Sequence, residues 1–460
     1  MTAAAVELAE WAAGLRLVDV PEEVREAAKL HLLDAVGTGL AGLALGELEA
    51  ARGLAEELGG RPESTALGVA ERLPAAVAAF ANGAVMHALD FDDTHEQALV
   101  HSSVVVCPVA LACGEAAGAR GEEALTAAIA GFELSSRIGL AGAGRFHVRG
   151  FHPTSVCGVF AAAAVASRLR GLTAAETANA LGIAGSQASG LLEFLADGSQ
   201  TKPIHAGWAS LGGIVAAGLA ARGATGPATV LEGRFGLLRT HLDEFDEGVL
   251  TAGLGERWET LRIAFKPYPA CHCTHTCLDA LAAIVAEERL AVDDVAEIVC
   301  RVPGQVAVEL VLEPAGRKLR PATPYDAKFS LPYCLASFLA RGSLDVGSFT
   351  PSAVADEEVL RLAALVRYEV TPFPGGNDLS GGVVVTTRDG ARLERAVLHP
   401  RGGLENPMTP ADLRAKFREN AALALPESAV ERLVEGFMRL EDERVGELTR
   451  LLSGAATAVA

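Results

Sequence analysis

A polar segment that lies between two apolar ones is the feature of this sequence that most constrains its fold. Residues 87–101 read HALDFDDTHEQALVH, with AAVAAFANGAVM before them and SSVVVCPVALACG after them. Because a buried charge without a partner is costly, acids and histidines in such a place need partners inside the protein. A helix end with solvated acids would explain an isolated DFDDT equally well, so the rest of the chain has to decide between the two interpretations.

Small side chains predict closely packed helices. Half of the 460 residues are apolar, but only 5% are aromatic. We predict a mainly α fold, in which a large all-α helical domain (residues 1–262 and 404–460) receives an inserted, smaller α+β lid domain (residues 263–403). The insert contains strand-like runs such as VAEIVCRVPG and GGVVVTTRDGARLERAVLH, where Asp389-Gly390 is typical of a hairpin turn.

Charge and terminal composition exclude several classes of function. The net charge of −19 argues against a nucleic-acid surface, which needs a basic face. The N-terminal residues MTAAAVELAEWAAGL lack the basic region of a secretory signal. We interpret the uncharged stretch Pro203–Ala221 as a buried core helix, and eight cysteines are too sparse for a disulfide framework. These observations predict a soluble cytoplasmic protein with neither a membrane nor a nucleic-acid partner.

Three segments place a cation or proton carrier directly before proline. They are Phe151-His152-Pro153, Thr201-Lys202-Pro203 and Phe265-Lys266-Pro267. The residue before proline is disfavoured in the helical region, and proline suits the first helical position. We therefore expect each His or Lys to lie extended ahead of a helix or turn, where unpaired N–H groups and the helix dipole attract carboxylates. The alternative is an ordinary helix start with solvated side chains.

The segment Cys271–Cys277 (CHCTHTC) contains the ligand types that zinc prefers. Its spacing is dense and lacks a distant second ligand pair, so we predict no metal site. His275 is interpreted as a functional or structural histidine at a helix start. The sequence also lacks the G-x-S-x-G elbow of serine hydrolases and the P-loop, and no G-x-G-x-x-G follows a predicted strand. We therefore expect no nucleotide cofactor.

Taken together, several motifs resemble the MmgE/PrpD family. They are HALDFDDTH, GFHPTSVCGVFAAAAVASRL, DGSQTKPIHAGWAS, FKPYPAC and TPYDAKFSLPY, in this order along nearly the whole chain. That family includes 2-methylcitrate dehydratase, cis-aconitate decarboxylase and an iminodisuccinate epimerase. The resemblance implies a large all-α domain with an α+β lid, a homodimer, a site between the two domains, and chemistry without an iron–sulfur cluster or other cofactor.

The resemblance also implies a set of site residues. The positions that match the family's site are Asp90, Thr94, His101, His152, Lys202, Lys266 and Tyr325. One departure concerns the decarboxylase, which has a histidine five residues after the lysine of the lid. Here that position is Cys271, with His272 next and His275 further on. This difference weakens the decarboxylase interpretation, and we include His272 and His275 as candidate substrate-binding residues.

The candidate roles follow from the chemistry of carboxylic acids. Abstraction of a proton beside a carboxylate needs a base with a near-neutral pKa, so His152 and His101 are the expected base and acid. Lys202 and Lys266 would stabilise the negative intermediate. Asp90 would orient a histidine or hold its tautomer. Thr94 and Tyr325 would form hydrogen bonds with substrate oxygens.

The expected function is that of a cofactor-independent lyase for a small di- or tricarboxylate. A hydro-lyase similar to 2-methylcitrate dehydratase is the first expectation. The alternatives are an epimerase or isomerase of a dicarboxylate such as iminodisuccinate, a decarboxylase of the cis-aconitate type, and a non-catalytic homologue that binds a carboxylate.

Overall fold

The computed structural model describes residues 2–456, and the chain divides into two compact units. The larger unit comprises the chain up to Ala88, Asp92–Ala264 and the chain from Thr409 onward. The smaller unit comprises Leu89–Phe91 and Phe265–Met408. The predicted mainly helical character is confirmed, because helices dominate the described residues. A lid arrangement of the smaller unit stays a prediction.

Helices with closely packed small residues build the larger unit. In chain order they are α1 (Ala4–Gly14), α2 (Glu22–Ala44), α3 (Glu49–Leu58), α4 (Ala75–Met86), α5 (Ser103–Ala117), α6 (Gly121–Gly142), α7 (Arg145–Val148), α8 (Pro153–Leu169), α9 (Ala174–Gly185), α10 (Phe194–Asp197), α11 (Thr201–Ala220) and α12 (Leu237–His241). Helix α11 packs against α8 and α4, and a Cβ added at Gly213 would overlap Ala162 and the backbone of Ala163. Two short antiparallel strands, β1 (Thr94–His95) and β2 (Ile263–Ala264), complete this part.

A four-stranded sheet organises the smaller unit. Its helices are α13 (His275–Glu288), α14 (Gln305–Val311), α15 (Ala315–Leu319), α16 (Pro324–Lys328), α17 (Leu331–Arg341), α18 (Pro351–Val354) and α19 (Glu357–Ala363). The strands β3 (Val295–Val302), β4 (Val366–Val370), β5 (Gly381–Thr387) and β6 (Arg392–Val397) lie in the order β4-β3-β5-β6. Strands β3 and β4 are parallel and the other pairs are antiparallel. The predicted hairpin turn joins β5 to β6, with Gly390 at φ +89°.

The C-terminal helices return to the larger unit. They are α20 (Pro410–Ala421), α21 (Glu427–Met438) and α22 (Val445–Leu452). Helix α20 packs against α2, and the buried Lys416 Nζ lies 2.8 Å from Oδ1 of the buried Asp34. This buried ion pair connects α20 of the C-terminal part with α2 of the N-terminal part.

The starts of two helices test the prediction made for residues before proline. His152 has extended backbone angles and precedes Pro153, the first residue of α8, as predicted. Lys202 differs, because α11 already begins at Thr201 and Lys202 lies within its first turn. The expectation of an extended Lys202 was wrong. The first N–H groups of a helix have no intrahelical acceptor, so Pro203 costs no hydrogen bond there.

One described helix, Thr201–Ala220, is long and apolar enough to cross a membrane, and 61% of its apolar window is buried inside the protein. This helix, α11, packs against α8 and α4 within the larger unit.

Candidate functional site

The predicted site residues are distributed over both units. Thr94, His101, His152 and Lys202 belong to the larger unit, whereas Asp90, Lys266, His272, His275 and Tyr325 belong to the smaller one. All of them except Tyr325 are buried. Each unit therefore presents its own group of polar side chains, and the two groups are described separately.

A buried carboxylate holds two histidines in the larger unit. His87, the residue after α4, lies with its Nδ1 3.0 and 2.9 Å from the two carboxylate oxygens of Asp92. His101 Nδ1 lies 3.2 Å from Asp92 Oδ2 and 2.8 Å from the backbone oxygen of Asp93. Asp92 therefore fixes the orientation of two imidazoles at once.

The position of His101 depends on its immediate neighbours. Thr94 Oγ1 lies 3.0 Å from His101 Nδ1, and the His101 amide donates to Thr154 Oγ1 at 3.1 Å. Asp93 is itself held, because its carboxylate accepts from the Ser103 hydroxyl at 2.8 Å and pairs with His31 Nδ1 at 2.7 Å. A buried polar network anchors the loop between α4 and α5 at both ends.

A second histidine pair lies at the starts of α8 and α11. His152 Nδ1 is 3.1 Å from His205 Nδ1, so one of these nitrogens donates its proton and the other accepts it. The His152 amide donates to the Gly190 carbonyl at 3.0 Å. Nε2 of His152 and Nε2 of His87 are buried and have no hydrogen-bond partner among residues 2–456. Each therefore presents an available nitrogen.

The rings of these histidines form one cluster. The ring centroids are 4.9 Å apart for His87 and His101, 5.5 Å for His87 and His152, and 6.2 Å for His101 and His152. Those of His152 and His205 are 5.3 Å apart. One ring nitrogen from each of His87, His101 and His152 lies within 4.8 Å of the other two. We call His87, His101 and His152 the three-histidine cluster.

Burial lowers the pKa of three imidazoles in this region, those of His87, His152 and His205. It lowers the pKa of His87 to about 4, although Asp92 opposes the shift. Burial, reinforced by the positive charge of Lys202, lowers the pKa of His152 well below its usual value. Burial also lowers the pKa of His205 to about 4. For Asp92 burial acts in the opposite direction, but His87 and His101 outweigh it and the net pKa is well below its ordinary value. The site thus combines neutral imidazoles of His87, His152 and His205 with the ionised carboxylate of Asp92.

In the smaller unit a lysine is paired with a strained aspartate. Lys266 Nζ lies 3.2 Å from Asp90 Oδ1 and donates to the Asp90 carbonyl at 2.9 Å. Asp90 has a φ of +52°, which is uncommon for a residue other than glycine. Asp90 was predicted to orient a histidine. In the structure Asp92 lies against His87 and His101, and Asp90 lies against Lys266.

His272 and His275 lie beside each other where α13 begins. Their ring centroids are 4.8 Å apart, and His275 Nε2 donates to the Ala270 carbonyl at 3.1 Å. His275 Nδ1 is buried without a hydrogen-bond partner, and burial lowers the His275 pKa well below its usual value. A hydrogen bond from the Cys273 side chain lowers the pKa of Cys271 to about 7, against the effect of burial. Tyr325 lies in α16, with its ring 5.5 Å from that of Phe329.

Sequence reasoning missed three residues of the larger unit. His87 and Asp92 both lie in the segment that opened the sequence analysis, and His205 comes three residues after Lys202 in the motif TKPIH. The signal for His205 was its place in the first turns of α11, close to Lys202. The structure brings His205 to His152 and thereby adds a second imidazole to the predicted one.

Comparison with known proteins gives consistent matches along the chain. The model of the MmgE/PrpD N-terminal domain matches residues 6–248, and that of the MmgE/PrpD C-terminal domain matches residues 268–442. The chain is 33% identical to the cis-aconitate decarboxylase of Homo sapiens, over 96% of this chain and 92% of that protein. It is 32% identical to that of Mus musculus (96% and 91%) and 28% identical to that of Aspergillus terreus (97% and 95%).

Proposed function

Because this chain belongs to the MmgE/PrpD family, we propose that it is a lyase for a small tricarboxylate and that it decarboxylates a cis-aconitate-type substrate without a cofactor. Two relatives at 33% and 32% identity bear the name cis-aconitate decarboxylase and align with nearly the whole chain. The observation that carries the proposal is the buried His152, whose Nε2 has no hydrogen-bond partner in the described part of the chain and whose Nδ1 is held by His205.

The proposed reaction needs one proton and no redox change. The bond between a substrate methylene and its carboxylate breaks, and carbon dioxide leaves. The electron pair of that bond forms a new terminal double bond, and the former alkene carbon takes a proton from an imidazolium. His152 is the proposed donor, and His101, held by Asp92 at 3.2 Å, is the proposed second proton carrier.

Binding of a negatively charged substrate would favour the protonated form of His152, which is the form that donates the proton. Burial keeps the pKa of His152 well below its usual value, so the imidazole of the unliganded protein is neutral near pH 7. Bound carboxylates favour the positive form of a neighbouring imidazole. Binding of a polyanion would therefore draw a proton onto His152. Lys202, a buried cation in the first turn of α11, and Lys266 are proposed to attract the substrate carboxylates.

A dehydratase similar to that for 2-methylcitrate is the second candidate. The relatives favour decarboxylation over this first expectation of the sequence analysis. Cys271, which lies where the decarboxylase has a histidine, is the observation that keeps the dehydratase under test. Neutral His152 would then abstract a proton from carbon, and the hydroxyl group would leave as water with a proton supplied by His101. The same proton abstraction without loss of a leaving group would be the reaction of an epimerase.

One experiment separates these reactions. The protein is incubated in deuterated water with cis-aconitate, 2-methylcitrate and other di- and tricarboxylates, and products are followed by proton NMR and carbon dioxide release. Carbon dioxide with deuterium in the product supports the decarboxylase, and a dehydrated, unsaturated acid formed without carbon dioxide supports the dehydratase. Deuterium exchange without net product supports the epimerase. Thermal stabilisation without any reaction would leave a carboxylate-binding protein and contradict the proposal.

The variant His152→Ala tests the assigned residue. We expect it to abolish turnover while the circular dichroism spectrum and melting temperature stay close to those of the parent protein. The control is His399→Ala, which changes a half-buried histidine of the smaller unit outside the proposed machinery. Turnover retained in the His152 variant would reject the assignment of the donor.

We further propose that the protein is a cytoplasmic homodimer, as its resemblance to the family implies. Light scattering coupled to size-exclusion chromatography tests the dimer.

A further inference from the structure

The three-histidine cluster suits a second kind of ligand. Imidazole nitrogens are common ligands of Zn²⁺, Co²⁺, Ni²⁺ and Cu²⁺, whereas Mg²⁺ and Ca²⁺ prefer oxygen. We propose that His87, His101 and His152 bind one transition-metal dication of the zinc class, and that the bound metal inhibits the enzyme by occupying the nitrogens used for proton transfer. The inhibition rests on the proposed function, whereas the metal binding does not.

The hydrogen bonds around the cluster leave the same atom available on each ring. His87 and His101 both use Nδ1 against Asp92, and His152 uses Nδ1 against His205. Metal-binding histidines typically use one nitrogen for the metal and donate the other N–H to a carboxylate, carbonyl or other acceptor. Asp92 supplies that outer contact for two of the three rings. The unpartnered Nε2 atoms of His87 and His152 are buried, and burial excludes water from competition for them.

The spacing of the rings is close to that of a tetrahedral site. Zn–N bonds of about 2.0–2.1 Å place the ligand nitrogens about 3.4 Å apart and the ring centroids about 5 Å apart. The centroids here are 4.9, 5.5 and 6.2 Å apart, and one nitrogen of each ring lies within 4.8 Å of the others. Modest side-chain rotation brings the three nitrogens onto one ion. The fourth position of the ion then remains for water or a carboxylate, as in catalytic zinc sites.

The charges near the cluster predict how its affinity responds to substitution. Asp92 contributes a negative charge through two of the ligands, which favours a cation. Lys202 acts in the opposite direction, since its positive charge reaches both His87 and His152. Replacement of Lys202 by a neutral side chain should therefore strengthen metal binding while it weakens the attraction of a polyanionic substrate. A substitution that shifts two functions in opposite directions is a sharp test.

The experiment measures metal binding without substrate. Chelator-treated full-length protein is titrated with Zn²⁺ by calorimetry at pH 7.5, and the site is observed through the visible spectrum of bound Co²⁺. We expect one ion per chain, at least about tenfold weaker binding in His87→Ala, and about threefold tighter binding in Lys202→Gln. His399→Ala is the control and should bind as the parent does. The conservative variant His87→Gln repeats the test if the alanine variant does not fold.

The outcomes separate the two proposals. Zinc binding without turnover of any carboxylate leaves the metal site and rejects the function. Turnover with no stoichiometric zinc, or with unchanged affinity in both His87 variants, rejects the metal site. A thiolate-to-cobalt band that disappears in Cys273→Ser would place the ion on the cysteines of the smaller unit and also reject it. Zinc that binds at the cluster but leaves turnover unchanged would overturn the proposed inhibition.

Discussion

The contact between two imidazole nitrogens couples the tautomer of His152 to that of His205. His152 and His205 approach through Nδ1 at 3.1 Å, and in a neutral pair one nitrogen donates and the other accepts. His205 is only half-buried, whereas His152 is fully enclosed. His205 is therefore proposed as a positioning residue that decides whether the Nε2 of His152 carries the proton.

The variant His205→Ala tests this positioning role. We expect kcat to fall by about 10–100-fold with little change in KM, because binding of the substrate carboxylates does not involve His205. The variant His205→Gln, whose amide can donate or accept a hydrogen bond, should recover part of the loss. Steady-state kinetics at several pH values give the readout. Equal losses in both variants would indicate a packing role only.

The pH dependence of kcat/KM separates a proton donor from a base. Since burial lowers the pKa of His152, the unliganded protein holds this imidazole neutral at pH 7. If decarboxylation needs the protonated form, kcat/KM should rise by about tenfold for each unit that the pH falls between pH 8 and pH 6.5. A dehydratase that uses neutral His152 as its base would show no rise over the same range, and initial rates with buffers of constant ionic strength decide.

The sequence was informative about residue types and less so about which acid faces which base. His101, His152, Thr94 and Lys202 could be selected from motifs, and all belong to one unit. The choice between the acids of DFDD could not be made, because it depends on the left-handed backbone of Asp90. A positive φ at one residue redirects the side chains that follow, and no local pattern announces it.

At the scale of elements, helix starts and turns could be predicted because their chemistry is local. The capping box of Thr173 and Glu176 begins α9, that of Thr409 and Asp412 begins α20, and the hairpin turn at Gly390 forms as expected. The start of α11 was predicted too late. Proline is tolerated in the first turn of a helix, so Pro203 does not mark the residue at which the helix begins. Packing partners such as α8 and α11 are tertiary and could not be read from one sequence.

The close packing of α11 on α8 leaves no room for a side chain at Gly213. Gly213→Ala should lower the free energy of unfolding by about 1–3 kcal/mol, because the new Cβ overlaps Ala162 and Ala163. Gly218→Ala is the matched control on the same helix, where the nearest atom, of Arg222, is 3.8 Å away. The control should gain up to about 1 kcal/mol from helix propensity. Urea denaturation measures both, and equal effects would contradict the packing argument.

For the whole molecule, the C-terminal return depends on one buried charge pair. Lys416→Met removes the partner of Asp34, which lies 2.8 Å from Lys416 Nζ in the core, and should cost about 3–5 kcal/mol. Arg418→Ala is the control on the same helix. It breaks an exposed pair with Glu431 and should cost less than about 1 kcal/mol. Denaturant titrations compare the two, and similar losses would show that burial does not govern this pair.

The short segment Leu89–Phe91 also has a consequence for how such enzymes can be recombined. These three residues belong to the smaller unit although they are encoded far upstream of Phe265–Met408, and Asp90 is the carboxylate beside Lys266. A chimaera that exchanged only the downstream segment for that of a homologue would match a transplanted lysine with the host's aspartate. An exchange of the smaller unit between homologues should therefore include both Leu89–Phe91 and Phe265–Met408.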